Sequence, residues 1–139
     1  MQFLLMHGKL VRVANEETDR SLAAAWRELL GRHATTWCAL ERELGERHGL
    51  GVSEFEVLER LVEDGKELLR VQELADATYL SQSALSRVIG RLERDGLVTR
   101  SICDFDRRGI YVGVTEAGRA RHEAARATQR AVLAATLGG

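Results

Sequence analysis

The sequence predicts a mainly α-helical domain carrying one small β-hairpin, and three observations predict it. Apolar residues recur every three or four positions over most of the 139 residues, the period of helices with one buried face. That period gives way to a period of two only between residues 97 and 114, as two paired strands require. Proline is absent, and glycines stand between the periodic stretches, where they end elements. With 45% hydrophobic and 29% charged residues, a chain of this length forms one domain whose core needs neither disulfides nor metal.

Each element has its own signal. Leu22, Trp26, Leu29, Leu30, His33, Trp37, Leu40 and Leu44 form one stripe between Asp19 and His48, which predicts a long helix ended by Gly49 and Gly51, with Gly31 as an expected bend. About thirty helical residues span roughly 45 Å. A domain this small does not use that length for its own core, so part of the stripe is expected to pack on another chain. Ser53 with Glu56 three residues later has the capping-box pattern for a second helix, with Phe55, Val57, Leu58, Leu61 and Val62 inward and Gly65 as its stop. Leu68 and Leu69 read as a short strand or extended link, and Gln72 to Ala77 as a short third helix anchored by Leu74 and Ala75.

After the turn Thr78-Tyr79-Leu80, Ser81 caps a fourth helix that buries Leu85, Val88, Ile89 and Leu92 and stops at Gly96. Residues 97–102 and 109–114 are the strands of the hairpin, with Cys103 to Arg108 as its charged tip. Thr115 caps a last helix to about Leu137, where Ala117, Ala120, Ala124, Ala127, Ala131 and Ala134 form a stripe suited to close helix approach. A tight helix pair followed by a hairpin, in the order α-α-α-α-β-β-α, is the layout of a winged helix-turn-helix.

The composition narrows the function. Net charge is −1, but residues 41–64 carry eight acids against three arginines, whereas residues 81–112 carry six arginines against four acids. Only Lys9 and Lys66 are lysines, so nearly every cation is a planar fork suited to phosphates and base edges; a GC-rich genome gives the same bias. Two distant cysteines, Cys38 and Cys103, make no framework, and a cytoplasmic location is expected. The apolar run Phe3-Leu4-Leu5-Met6 is too short for a signal peptide or a membrane span. His7, His33, His48 and His122 are scattered, so no metal is expected. No nucleophile elbow, phosphate loop, dinucleotide fingerprint or HExxH occurs, so neither a cofactor nor an enzymatic activity is expected.

The fourth helix carries the chemistry. Ser83, Ser86, Arg87, Gly90 and Arg94 form its outward face, with Ser81 and Gln82 at its start and Arg91 further along. Short polar side chains near a helix N-terminus, with Arg and Gln, are what a major-groove reader presents to base edges. A merely solvated helix face would look similar, but the hairpin tip adds Arg107 and Arg108 beside Asp106. Such a tip suits a wing that enters the adjacent minor groove, and Asp106 is placed to hold Arg108 extended.

Leu69-Arg70-Val71-Gln72-Glu73-Leu74-Ala75, the run from Ser81 to Val98, Asp106-Arg107-Arg108, and Val114-Thr115-Glu116-Ala117-Gly118-Arg119 together resemble the MarR (multiple antibiotic resistance regulator) family. The resemblance covers about residues 20–137. It implies a homodimer joined by its N- and C-terminal helices, acting as a transcriptional repressor on pseudo-palindromic double-stranded DNA. By the same resemblance Ser83, Ser86 and Arg87 map to major-groove contacts and Arg108 to the wing contact, oriented by Asp106. The expected divisions are an extension over 1–18, a dimerisation helix over 19–48, a DNA-binding region over 49–114 and a second dimerisation helix over 115–139.

The sequence departs from that pattern in three places. Arg70 stands where relatives commonly place a Ser or Thr cap, Gly90 interrupts the recognition helix, and the last helix is shorter than in many relatives, so residues 1–18 are expected to pack across the dimer. The resemblance also implies a small-molecule effector, for which Trp26, His33, Trp37 and Phe55 are the candidate pocket residues, although aromatics at helical spacing are ordinarily core. Cys38 reads as a small buried hydrophobe and Cys103 as a surface thiol at the wing. The rival reading is a winged-helix module that binds protein and not DNA; arginines on both helix and wing argue against it.

Overall fold

The computed structural model describes the backbone of residues 2–6 and 9–13, and residues 15–102 and 109–138 in full. Two strands, β1 (Gln2–Met6) and β2 (Lys9–Val13), pair antiparallel ahead of the helical part, an element that the sequence analysis did not anticipate. Helix α1 runs unbroken through Gly31 from Glu16 to His48. Its start is fixed by the Asn15 side chain, which accepts from the Thr18 amide at 2.7 Å, and by Glu16, Glu17 and Asp19 in the first turn, favourable at the positive end of the helix dipole. Gly49 ends it at φ +64°.

Helix α2 spans Val52–Asp64. It lacks the expected Ser53 cap: Gly51 is its N-cap residue, with no side-chain cap bond. A carboxylate from the preceding helix does that work, since Glu41 Oε1 accepts from the Val52 amide at 2.9 Å. Strand β3 (Leu69–Arg70) leads into α3 (Val71–Thr78), and α4 (Gln82–Arg94) follows a three-residue turn. Strands β4 (Val98–Ile102) and β5 (Ile110–Val114) pair with Val98 opposite Val114 and Ile102 opposite Ile110. With β3 they form a small antiparallel sheet in the order β3-β5-β4.

The core lies between α2, α3, α4 and this sheet. Phe55, Leu58, Leu74, Leu85, Leu92 and Val112 are fully buried, as amphipathic spacing in short elements requires. Helix α5 (Glu116–Leu137) returns along the C-terminal half of α1. Arg121 donates to the His48 carbonyl at 2.9 Å, and His48 Nε2 lies 2.7 Å from Thr128 Oγ1. The junction of wing and α5 is tight: Thr115 Oγ1 accepts from the Gly118 amide at 3.0 Å and donates to the Gly96 carbonyl at 2.7 Å. A β-carbon at Gly118 would overlap the Leu97 carbonyl oxygen, which is why a glycine stands there.

Three expectations are corrected. Leu22, Trp26, Leu29 and Leu30 are 46–61% exposed and Trp37 is 40% exposed, so the aromatic stripe of α1 is not core; within the chain α1 buries only Thr36, Leu40 and Leu44. On α5 the inward positions are Gly118, His122, Ala125, Gln129 and Val132, while the six stripe alanines face outward. Cys38 is exposed, because, two residues from both Thr36 and Leu40, it lies on the side of α1 opposite the face those residues bury. Cys103 lies outside the described residues.

Candidate nucleic-acid interface and ligand cavity

The recognition helix is held by its buried side. Leu85, Val88, Ile89 and Leu92 are at most 3% exposed, so the opposite face, carrying Ser83, Ser86, Arg87 and Arg94, is in solvent. Among the described residues neither Arg87 nor Arg94 belongs to an ion pair. Two unpaired guanidiniums flanked by small hydroxyls leave donors available for phosphates or purine edges.

The other residues predicted on this helix are engaged within the protein. Ser81 Oγ accepts from the Ala84 amide at 3.2 Å, so its oxygen serves as the helix cap. Gln82 Nε2 donates to Gln72 Oε1 at 2.6 Å, and Gln72 Nε2 donates to Asp76 Oδ1 at 3.2 Å. That relay ties the start of α4 to α3 and sets the angle between the two helices. Arg91 is turned against α2, with Nε 3.4 Å from Glu54 Oε1. Arg70, at the start of α3, makes no side-chain cap bond; its guanidinium lies 5.9 Å from the Tyr111 ring centroid, a cation–π distance. Asp106, Arg107 and Arg108 lie outside the described residues.

A cavity of about 490 Å³ opens between α1, α2 and the turn after α3. Leu29, His33, Thr36, Trp37, Leu40, Val52, Glu56, Arg60, Thr78 and Tyr79 are among its lining residues. His33 and Trp37 stack with ring centroids 5.8 Å apart. Of the four predicted pocket residues the structure brings these two to the cavity and leaves two out. Phe55 is fully buried and stacks on His122 at 5.4 Å, because it sits on the α2 face turned to α5. Trp26, about three turns before Trp37, projects into solvent at 58% exposure. The hydroxyl of Thr36 is buried with no hydrogen-bond partner, and an orphaned buried hydroxyl is unusual in a native structure. Burial, reinforced by nearby Glu59, raises the Glu56 carboxyl above its ordinary value of 4.5, against the pull of Arg60 and Arg130.

A polar cluster between α2 and α5, with Glu59 and His122 buried, escaped the sequence analysis. Glu59 on α2 receives Arg130 Nη1 at 3.1 Å and Nη2 at 3.0 Å, and stands 3.1 Å from His122 Nε2. Burial alone would raise the Glu59 carboxyl, but the hydrogen bonds and charges of Arg130 and His122 prevail and hold it below 4.5. The cluster bolts α5 to the DNA-binding elements. The signal was faint: His122 and Arg130 lie eight apart on one helix face, but nothing in the sequence names Glu59 as their partner.

An exposed, arginine-bearing second helix of a helix-turn-helix, followed by a β-hairpin that completes a three-stranded sheet with β3, defines a winged-helix DNA-binding fold. The chain belongs to the MarR family, whose model matches residues 48–109. It is similar to AbsC, a MarR family transcriptional regulator from Streptomyces coelicolor, at 30% identity and TM-score 0.77 over 91% of this chain and 82% of that one. The HTH-type transcriptional regulator MhqR of Bacillus subtilis (strain 168) is 35% identical over 72 residues, 52% of this chain and 48% of MhqR. CouR from Rhodococcus jostii RHA1, whose structure was solved bound to p-coumaroyl-CoA, is 28% identical with TM-score 0.68 over 80% of this chain and 77% of CouR. The matches span about half the length of the curated relatives. Among the described residues no helix is long and apolar enough to cross a membrane.

Proposed function

We propose that this MarR-family regulator acts as a homodimeric repressor on a pseudo-palindromic operator. Ser83, Ser86 and Arg87 read the major groove, Arg94 holds a phosphate, and Arg107 and Arg108, steadied by Asp106, enter the adjacent minor groove. The observation that carries the reading is the solvent face of α4, where, among the described residues, Arg87 and Arg94 belong to no ion pair while Ser81, Gln82 and Arg91 brace the helix from its margins. Residues 49–114 form the DNA-binding region. Residues 19–48 and 115–139 form the dimer interface, for which the exposed Leu22, Trp26, Leu29 and Leu30 supply the apolar surface, and residues 1–18 pack across it. A small effector enters the cavity beside Trp37 and Thr36 and relieves repression; that CouR holds a coenzyme A thioester supports a ligand-responsive reading.

The test is binding of purified protein to the DNA upstream of its own gene and to a scrambled duplex at two salt concentrations. Preference for the native duplex that survives the higher salt marks specific readout. Arg87→Ala is expected to cost about 1–3 kcal/mol on the native duplex and to relax discrimination at one position. Arg108→Ala with unchanged binding would sink the wing assignment. Failure of the wild type on both duplexes, with and without effector, would favour a protein-binding module.

A further inference from the structure

Two surfaces of this chain are left without a partner, and they adjoin each other. The first is the hairpin of β1 and β2. Its register sets Gln2 opposite Val13 and Met6 opposite Lys9, and among the described residues the two strands pair with each other and have no comparable contact with any other element. A two-stranded hairpin alone is marginal in water, and further strands or a packed face are needed to hold it. The second surface is the apolar stripe of α1, where Leu22, Trp26, Leu29 and Leu30 are exposed. Only Ala14 separates the end of β2 from Asn15, the N-cap of α1.

The two strands differ as edges. β2 reads Lys-Leu-Val-Arg-Val and carries two cations, an ordinary means of keeping an edge from pairing. β1 reads Gln-Phe-Leu-Leu-Met, with neither charge nor proline to guard it. Such a strand is also self-complementary: laid antiparallel on its own copy about Leu4, it sets Phe3 against Leu5 and Gln2 against Met6, and no like charges meet. By the alternation of a strand, Leu4 and Met6 share one face of the hairpin with Val11 and Val13, and Phe3 and Leu5 share the other with Leu10. Both faces therefore carry apolar rows, and one is available to cover the α1 stripe.

We propose that β1 pairs antiparallel with β1 of a second copy, giving a four-stranded sheet in the order β2-β1-β1-β2 that spans the two-fold axis and covers the open half of α1. The inference rests on the dimer proposed above and names the contact that residues 1–18 make in it. An isologous interface sets like against like about its axis, so a copy seated on the α1 stripe brings its own β1 to this one.

The test is cross-linking of the full chain with Cys38 and Cys103 replaced by serine. Leu4→Cys places two thiols directly opposite, with Cα atoms at most about 5.5 Å apart, a separation that a disulfide spans. Val11→Cys leaves them three strand spacings apart, about 14 Å, which it does not span. Under diamide Leu4→Cys should become a covalent dimer and Val11→Cys should not. Leu4→Lys, which sets like charges at the centre of the pairing, should weaken the dimer about tenfold in analytical ultracentrifugation, whereas Leu4→Val should leave it within about twofold. A wild type that is monomeric at every concentration removes the dimer and the inference with it. A dimer unchanged in Leu4→Lys, with no cross-link at Leu4, is one joined by its helices alone, and overturns only the inference. Equal cross-linking at both positions would mean chance collision, and cross-linking at Val11 alone would make β2 the paired edge; either result overturns the inference as well.

Discussion

Helices α4 and α1 present the same sequence signal and meet opposite fates. Both carry apolar residues at three- and four-residue spacing, yet Leu85 and Leu92 of α4 are fully buried whereas Leu22 and Leu29 of α1 are about 60% exposed. The difference lies in what each faces. Helix α4 is sandwiched among α2, α3 and β4, and its stripe fits entirely within one chain. The first half of α1 outruns every other helix of its own chain, because α5 reaches only the second half. Helical period shows which face seeks burial, and the partner has to come from the tertiary arrangement.

The sharpest way to break this comparison is to truncate one residue from each stripe. Leu85→Ala is expected to cost about 2–5 kcal/mol through lost burial and a residual cavity, by the same amount at every protein concentration. Trp26→Ala should leave dilute protein almost unchanged and destabilise only concentrated protein, if the proposed dimer is what buries it. Denaturant melts at two concentrations a hundredfold apart distinguish the two behaviours. A concentration-independent loss in Trp26→Ala would mean that the first half of α1 is covered by its own chain after all.

A smaller effect tests the bolt between the two regions. Glu59→Gln keeps the shape but removes the charge that Arg130 and His122 enclose, and about 1–3 kcal/mol of stability is expected to go with it at neutral pH. The sign with pH follows from the lowered Glu59 carboxyl. Stability from a depressed carboxylate is present above the unfolded value of 4.5 and is lost as pH falls through the folded one. The gap between wild type and Glu59→Gln should therefore be widest near neutrality and close in acid. Glu56, raised chiefly by burial, has the opposite sign; its burial part is common to both proteins, whereas the part due to Glu59 is lost in Glu59→Gln and trims the gap near neutrality without reversing it. A gap that widens in acid would show that the Glu59 charge is not what the cluster uses.

What was legible in the sequence was what local chemistry decides. Ser81 and Thr115 cap the helices they were expected to cap, the inward positions of α4 are buried, and the switch to a period of two marked the wing. Where distant residues intervene, the reading missed. Ser53 lost its capping role to Glu41, eleven residues from the amide that Glu41 serves. Phe55 was offered to a ligand because it is aromatic and apolar, but the Glu59–His122–Arg130 cluster draws α5 onto its face of α2. On the recognition helix the sequence named the solvent face without separating Gln82 and Arg91, which brace, from Arg87, which makes no ion pair among the described residues. Only the positions of Gln72 and Glu54 make that distinction.

The smallest expected effect belongs to Gly90, on the solvent side of α4 between Arg87 and Arg94. It has no positive φ, and a β-carbon there meets nothing within 4 Å, so nothing in the chain requires glycine. Gly90→Ala should therefore raise stability by about 1 kcal/mol, the ordinary helix-interior difference between the two residues. The same methyl would point toward the groove that α4 is proposed to enter. If glycine is merely tolerated, duplex affinity stays within about twofold while the melting temperature rises, and that is the expected result. If affinity falls as stability rises, the glycine is there to let backbone approach DNA. The recognition helix would then have given up stability at the surface proposed to meet DNA, just as α1 leaves its apolar stripe open at the surface proposed to meet a second chain.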